Sequence, residues 1–417
     1  MLGELSGIND SETSIPAGWR WVRLGDYVIK VGSGLTPLGG NSVYKHSGIP
    51  LVRSQNVLLN RFDTNGLVYI SEDQDSEMEN SRVLPGDVLL NITGASIGRV
   101  CVVPREICPA NVNQHVCIIR CKSDIYPAFL SYYISNPWFQ NFIMDTQAGA
   151  TRQALTKALI ENFRISLPPL PDQKRIAAIL NQQMTAMEKA RPAAEAQLAA
   201  AKSLPAAYLR AVFNSPEAKA WPNNRLGNVC ELLPARSIAT DGDTEVLAIT
   251  TACLTEGGFQ PSGVKTARMW ARDAAECVVS PGEVLIARSN TPELVGRVAM
   301  FAGDPSGAVA SDLTIRLRTK DGVVAAYLAA YLSSLYATGY WKERAGGASG
   351  TMKKITRSQI QDEHVPVPSQ AEQHRITAML SDQMAAAERT RKALEDQLET
   401  VNKLPAALLR RAFSGGL

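Results

Sequence analysis

The sequence is short of most features that mark a catalyst or a membrane protein. No run of about 18 apolar residues without charge occurs, so no membrane-spanning helix is expected. The opening MLGELSGINDSETSIPAGW has neither a basic n-region nor an apolar h-region, so no secretory leader is expected. Residues 1–15 read instead as a flexible N-terminus. The histidines are only four, His46, His115, His364 and His374, dispersed and without an HExxH pair. No GxxxxGK[ST] phosphate loop is present, and Val31-Gly32-Ser33-Gly34 lacks the third glycine and the following helix of a dinucleotide fingerprint. Seven cysteines occur without a CxxC. A zinc site would have to use His115, Cys117 and Cys121 with no second close doublet. The runs CVVP and VCIIRC read as strands carrying small apolar thiols, so no metal is expected and a reduced, cytoplasmic protein is the simplest reading. Charge of one sign is scarce too. Forty-three Lys and Arg face 40 Asp and Glu, a net of +3 over 417 residues, which gives no global case for a nucleic-acid binder and leaves room for a local patch.

What is present is a repeat. DQKRIAAILNQQMTAMEKARPAAEAQLAAAKSLPAAYLRAVF from Asp172 aligns without a gap on EQHRITAMLSDQMAAAERTRKALEDQLETVNKLPAALLRRAF from Glu372, with about half the positions identical. Upstream, PGDVLLNITGASIGRV at Pro85 matches PGEVLIARSNTPELVGRV at Pro281. Each half is a variable globular unit followed by a nearly invariant helical one, which implies internal pseudo-two-fold symmetry.

Within the helical units, apolar residues recur at steps of three and four: Ile176, Leu180, Met184, Met187 and Leu198 in one copy, Ile376, Leu380, Met384, Leu394 and Leu398 in the other. That is a narrow coiled-coil seam, which one helix cannot cover alone. Two copies can cover each other as an antiparallel pair. Asp172 after LPPLP, and Ser369 or Glu372 after VPVP, read as helix openings. Pro192 is expected to kink the first helix, and Pro205 and Pro405 to begin short terminal helices. Arg191 and Arg391 share one point of the seam, as a register-setting pair, as a contact to a partner, or as stems reaching solvent.

The globular units show short alternating strands, then a helix (IYPAFLSYYISNPWFQNFI, GVVAAYLAAYLSSLYATGY), then a Gly-rich basic turn (AGATRQALTK, AGGASGTMKKIT) and a last strand. The class is α+β, mostly β in the globular parts. Asn136-Pro137-Trp138-Phe139 lacks the second proline of a base-gripping methyltransferase loop and has no Gly-rich cofactor motif beside it, so it reads as a helix turn with buried aromatics.

The arrangement resembles a known family, the specificity subunit of type I restriction-modification systems. The matching pieces are IPAGWRWVRLGD, the PGDVL and GRV strands, NVNQHV, the Gly-rich turn, LPPLPDQKRIAAIL with its second copy VPVPSQAEQHRITAML, and the closing LRAVF and LRRAF. The second unit departs at WPNNRLGN, where the Pro-x-Gly-Trp pattern is degraded. The resemblance implies two target-recognition domains, 16–170 and 216–366, each reading one half of a bipartite double-stranded DNA site. It implies helices at 171–215 and 367–417 that set the gap and hold two methylation (M) subunits, with restriction (R) subunits joining that core. The chain itself is then no enzyme and carries no cofactor. S-adenosylmethionine and ATP are expected on the partners.

Residue chemistry suggests where such a chain meets DNA. Arg suits guanine, and Asn or Gln suits adenine. Arg53, Gln55 and Asn56 lie in RSQN, and Asn91, Thr93 and Arg99 flank NITGASIGR. Their counterparts are Arg288, Ser289, Asn290 and Arg297. Arg152, Lys157, Lys353 and Lys354 in the Gly-rich turns suit phosphates. Residues 1–170 hold 14 basic against 15 acidic side chains and residues 216–366 hold 16 against 16, so any positive surface must be a patch. Two other readings stay open on the residues alone: a degenerate methyltransferase or nuclease, and a coiled-coil scaffold that joins proteins without reading DNA.

Overall fold

The computed structural model describes residues 15–37, 39–147, 154–239, 241–349 and 351–417. The chain forms two compact units, Met1–Ala193 with Leu398–Leu417, and Ala194–Gln397. The fold is α+β, and the repeat seen in the sequence is a repeat of strand order.

In the first unit Val28–Ser33, Val116–Cys121, Val88–Asn91 and Val100–Val102 form one antiparallel sheet in that order. A second sheet runs Val68–Ile70, Ile49–Val52, Ala110–Val112, Arg82–Val83, with one parallel pair, Ile49–Val52 beside Ala110–Val112. Successive side chains of a strand point to opposite faces. Hence Val88, Leu90, Cys117 and Ile119 enter one core, with Phe129 and Tyr133, while Leu89, Val116 and Ile118 enter another, with Val52 and Val112. Both faces are covered, which is why VLLN and VCII read as continuous apolar runs.

The second unit repeats the first sheet as Cys230–Leu233, Thr314–Thr319, Val284–Ala287 and Val298–Met300. Again Val284, Ile286 and Leu317 enter one core and Leu285 and Ala287 another. Its second sheet has three strands, Lys265–Met269, Thr244–Ile249 and Val309–Ala310, the last two parallel. Each unit also pairs an early strand with a late one, Arg20–Arg23 with Arg164–Leu167 and Asn223–Arg225 with His364–Pro366.

Two helices of 44 residues, Leu170–Phe213 and Gln370–Phe413, follow the globular parts. At ~1.5 Å per residue each is about 66 Å long. The expected openings shift slightly. The first helix starts at Leu170, placing Asp172 in its first turn. Ser369 Oγ accepts the Glu372 amide at 3.3 Å, which makes Ser369 the cap of the second. Both helices run unbroken through Pro192, Pro205 and Pro405, so no separate terminal helix begins at Pro205 or Pro405. A proline removes one backbone bond and strains the turn before it, a cost of about 3 kcal/mol. The turns packed after them outweigh it: Ala194, Leu198, Ala201 and Leu209 are buried after Pro192, as are Leu409 and Ala412 after Pro405.

Each unit holds the start of one long helix and the end of the other, the antiparallel arrangement. In the first unit Ile176 and Leu180 share a core with Leu409, Ala412 and Phe413, and Met184 lies half-buried against it. Phe413 sits edge-on to Phe129 and Tyr133, ring centroids 5.5 and 5.1 Å away. In the second unit Ile376, Leu380, Leu209 and Phe213 share a core, with Met384 against it, and Phe213 meets Tyr327 and Tyr331 at 5.7 and 5.3 Å. Leu198 is buried, while Met187, Leu394 and Leu398 are half-buried. Arg391 is paired with Glu388 and Glu395 of its own helix, and Arg191 is exposed. Gly415, at φ +85°, lies so close to Pro16 that a Cβ would stand 2.8 Å from its Cγ.

Candidate nucleic-acid interface

The residues proposed to face DNA divide into a framework and a presented set. Asn56 and Asn91 belong to the framework. Asn56 is fully buried. Its Nδ2 donates to the carbonyls of Asp63 and Asn65 at 2.9 and 3.2 Å, and its Oδ1 accepts the Arg53 amide. Asn91, equally buried, donates through Nδ2 to the carbonyls of Ser54 and Val57 at 2.8 and 3.3 Å. These amides fix the 53–66 loop to a sheet strand and present no edge to solvent. Arg53 braces the same loop, donating from Nη2 to Gly66 O at 2.7 Å with its guanidinium over the Tyr44 ring. Gln55 is exposed, its Nε2 3.3 Å from Gly66 O.

The turn after each central strand is built alike. Ile92 O accepts the Leu155 amide at 2.9 Å, and Arg288 O accepts the Ile355 amide at 2.8 Å. In the second unit this grows into a small sheet, in which Ser289 pairs with Lys354 and Asn290 with Lys353, and the 352–354 strand turns back on Gly346–Ser349. The fold thus joins the RSN turn to the Gly-rich basic turn, with Lys354 exposed and Lys353 half-buried. In the first unit Thr93 bridges to Ala154, and its Oγ1 lies 2.6 Å from His115 Nδ1. Arg152 lies outside the described residues. Lys157 is exposed at the start of a helix capped by Thr156 and stands 3.7 Å from Glu161. Arg288 donates from Nη1 to Asp312 O at 3.1 Å. Arg357, which sequence reasoning missed, donates to the carbonyls of Leu233 and Leu232 at 2.9 and 2.7 Å. Burial, and then the Arg288 charge, hold its guanidinium below its usual value.

The two GRV arginines differ. Arg99 is exposed. Arg297 lies over the Tyr336 ring, with Nε 3.3 Å from the Tyr336 hydroxyl and Nη1 3.4 Å from Leu254 O. The acidic run of Glu72, Asp73, Asp75, Glu77 and Glu79 is partly neutralised, since Arg82 binds Asp75 at 2.5 Å and Glu79 at 3.2 Å.

The PGDV and PGEV motifs place a buried acid beside an arginine of the next strand. Asp87 takes Arg120 Nε and Nη2, both at 2.8 Å. Glu283 takes Arg316 Nε at 2.9 Å and Nη2 at 3.1 Å, and also Arg318 at 3.0 Å. A second hidden device is Gln173 with its copy Gln373, buried at the foot of each long helix. Their recurrence at an offset of 200 was the sequence signal that could have revealed them.

Burial pushes the Cys117 and Cys121 thiols up to about 12. Among the described residues no group of three or more His, Cys, Asp or Glu side chains is placed to hold a metal ion, and no helix is long and apolar enough to cross a membrane.

The family profile described as the type I restriction modification DNA specificity domain matches residues 16–195 and again 219–400. The StySPI specificity subunit of a type I restriction enzyme from Salmonella potsdam is 21% identical over 387 residues, covering 88% of this chain and 82% of that protein. The EcoKI specificity subunit from Escherichia coli K12 is 22% identical over 397 residues, covering 89% and 83%. Among solved structures, a chain from a type I R-M system matches with a TM-score of 0.72 at 22% identity, covering 97% of this chain and 100% of that one. The HsdS subunit from Thermoanaerobacter tengcongensis matches with a TM-score of 0.64 at 22% identity, covering 97% and 98%.

Proposed function

The chain belongs to the type I restriction modification DNA specificity family, and from that premise we propose that it is the DNA-recognition subunit of such a system, each unit reading one half of a bipartite site. The observation that carries this reading is the repeat itself. Two units share a strand order, yet differ in the side chains they set on the turn after the central strand, Ile92-Thr93-Gly94 in one and Arg288-Ser289-Asn290 in the other. A shared frame with different readers is what an asymmetric two-part target requires.

In this reading Ser289, Asn290, Gln55 and Arg99 face base edges, while Lys353, Lys354, Lys157 and Arg152 meet phosphates. The buried Asn56 and Asn91 and the half-buried Arg53 hold the reading loops in shape. The long helices set the gap and dock two methylation subunits, which carry S-adenosylmethionine, and ATP-driven restriction subunits join them in the cytoplasm. The chain performs no chemistry of its own. Its globular parts are nearly neutral, so alone it grips DNA weakly, and the partners supply the remaining phosphate contacts.

Exchanging residues 16–165 for the matching unit of another family member tests the reading. The methylated sequence should change in one half and stay the same in the other. A methylome left unaltered by the exchange would remove the reader role.

A further inference from the structure

The second unit holds a cavity of about 680 Å³, walled by Ala329, Ala330 and Ser333 of the Ala325–Ala337 helix and by Leu209, Leu380 and Ser381 of the long helices. That volume lies inside the range of about 300–1,000 Å³ typical of ligand sites.

The first unit shows what chemistry fits there. Tyr126 and Val324 are equivalent, because their amides bind Gln173 and Gln373 in the same way. Counting from them, Ser131 and Tyr132 stand where Ala329 and Ala330 stand in the second unit. Asn181 likewise stands where Ser381 does. Tyr132 is buried, and its hydroxyl meets Asn181 Oδ1 at 3.2 Å. Asn60, in the turn of a two-stranded ribbon, donates to Ser135 Oγ at 2.7 Å and accepts from Ser131 Oγ at 3.2 Å. The same turn in the second unit carries Gly257. Asn60, Ser131 and Tyr132 are therefore replaced by Gly257, Ala329 and Ala330, and all three replacements line the cavity. Each removes side-chain volume, and together they remove a phenol ring and its polar contacts. The hydroxyls of Ser333 and Ser381 remain in the wall. The rim reaches water through charged side chains: Glu293 and Lys342, 3.6 Å apart, are 66% and 57% exposed.

We propose that this cavity receives an aromatic side chain of a protein partner, a tyrosine by the chemistry of its filled counterpart, in the place Tyr132 takes in the first unit. Aromatic anchors seated in pockets carry most of the affinity of many interfaces. The proposal rests on the docking role given above, since both long helices wall the cavity, and the partner is the methylation subunit. It follows that the two docking surfaces of this chain are unequal, one with its aromatic built in and one that must borrow it.

The test transplants the first unit's side chains, as Ala330→Tyr with Ser381→Asn, into the full chain. Calorimetry with p-cresol should find one saturable site on the unmodified chain and none on the double variant. Sedimentation with the methylation subunit should show one of the two associations weakened at least tenfold by the double variant. Should that variant melt below the unmodified chain, Ala330→Leu repeats the measurement with a smaller filler. Equal p-cresol binding by filled and unfilled chains, or none by either, overturns the proposal. So does p-cresol binding joined to unaltered association of a folded, filled variant, which would make the cavity a small-molecule site. An unmodified chain that binds no methylation subunit at all instead removes the docking reading, and this proposal with it.

Discussion

Gln173 Oε1 accepts the backbone amide of Tyr126 at 2.8 Å, which ties the first turn of a 44-residue helix to the first turn of the helix that closes the core. Its Nε2 donates to the carbonyls of Asp124 and Pro168, both at 2.9 Å. Gln373 repeats the pattern on Val324, Gly322 and Pro368. Gln173→Ala leaves a buried amide and two carbonyls without partners and should cost about 1–3 kcal/mol for each group that water cannot reach. Gln173→Glu should be worse, because a carboxylate oxygen would face two carbonyl oxygens. Thermal melts of the three chains at pH 7 check the order, and a glutamate variant more stable than the alanine variant would refute it.

The two acid–arginine pairs predict unequal losses. Arg316 and Glu283 have side chains 2% and 1% exposed, whereas Arg120 beside Asp87 is 24% exposed. Removing one partner of a buried pair costs about 3–5 kcal/mol, because the other charge stays in low dielectric. Arg316 keeps its bonds to the carbonyls of Pro234 and Glu276 in either case. Glu283→Ala should therefore lower the urea midpoint more than Asp87→Ala, where water can reach the freed guanidinium. Equal midpoints would contradict this.

The second long helix carries a pH dependence of known sign. The Arg391 guanidinium holds the Glu388 carboxyl below the ordinary 4.5, and Lys403 and Arg375 do the same for Glu399 and Glu372. A lowered carboxyl contributes stability that is present above its ordinary value and is lost as pH falls through the lowered one. Helicity at 222 nm and melting temperature should fall between pH 5 and pH 3. The fall should shrink in 1 M salt, since these pairs are exposed, and Glu388→Gln should blunt it. A fall insensitive to both would place its origin elsewhere.

The first long helix passes from one unit to the other at Ala193 and Ala194. Four residues inserted after Ala194 add about 6 Å of rise and slightly more than one turn. Methylome sequencing should then report both half-sites unchanged with an altered gap between them. An unaltered gap would remove the ruler role.

Much of this fold was legible because its two periods are strong. Alternation marks the strands, and steps of three and four mark the long helices, so the repeat, the seam and the order of elements could be read off. The continuity of the long helices through their prolines could not. Pro192 carries a local signal to stop, and only the packing of Ala194, Leu198 and Ala201 overrides it. The turns after the central strands could be singled out as a region, whereas the part each of their residues plays could not. An Asn amide that suits adenine suits a loop carbonyl equally well, and burial, which decides for Asn56 and Asn91, depends on strands far away in the chain. The pairing of Ser289 and Asn290 with Lys354 and Lys353 spans more than 60 positions, beyond any local signal.

The contact of Gly415 with Pro16 gives the chain the connectivity of a ring cut at one point. Arg175 Nη2, 3.3 Å from Leu417 O, lies at the same junction. The place of the cut is then arbitrary as far as the folded contacts are concerned. A chain opened at Asn214 and joined from Leu417 to Ile15 by a short linker should keep every ladder and melt within a few degrees of the natural order, as circular dichroism would show. Which unit comes first is then set by the place of the cut, and not by the contacts of the folded protein.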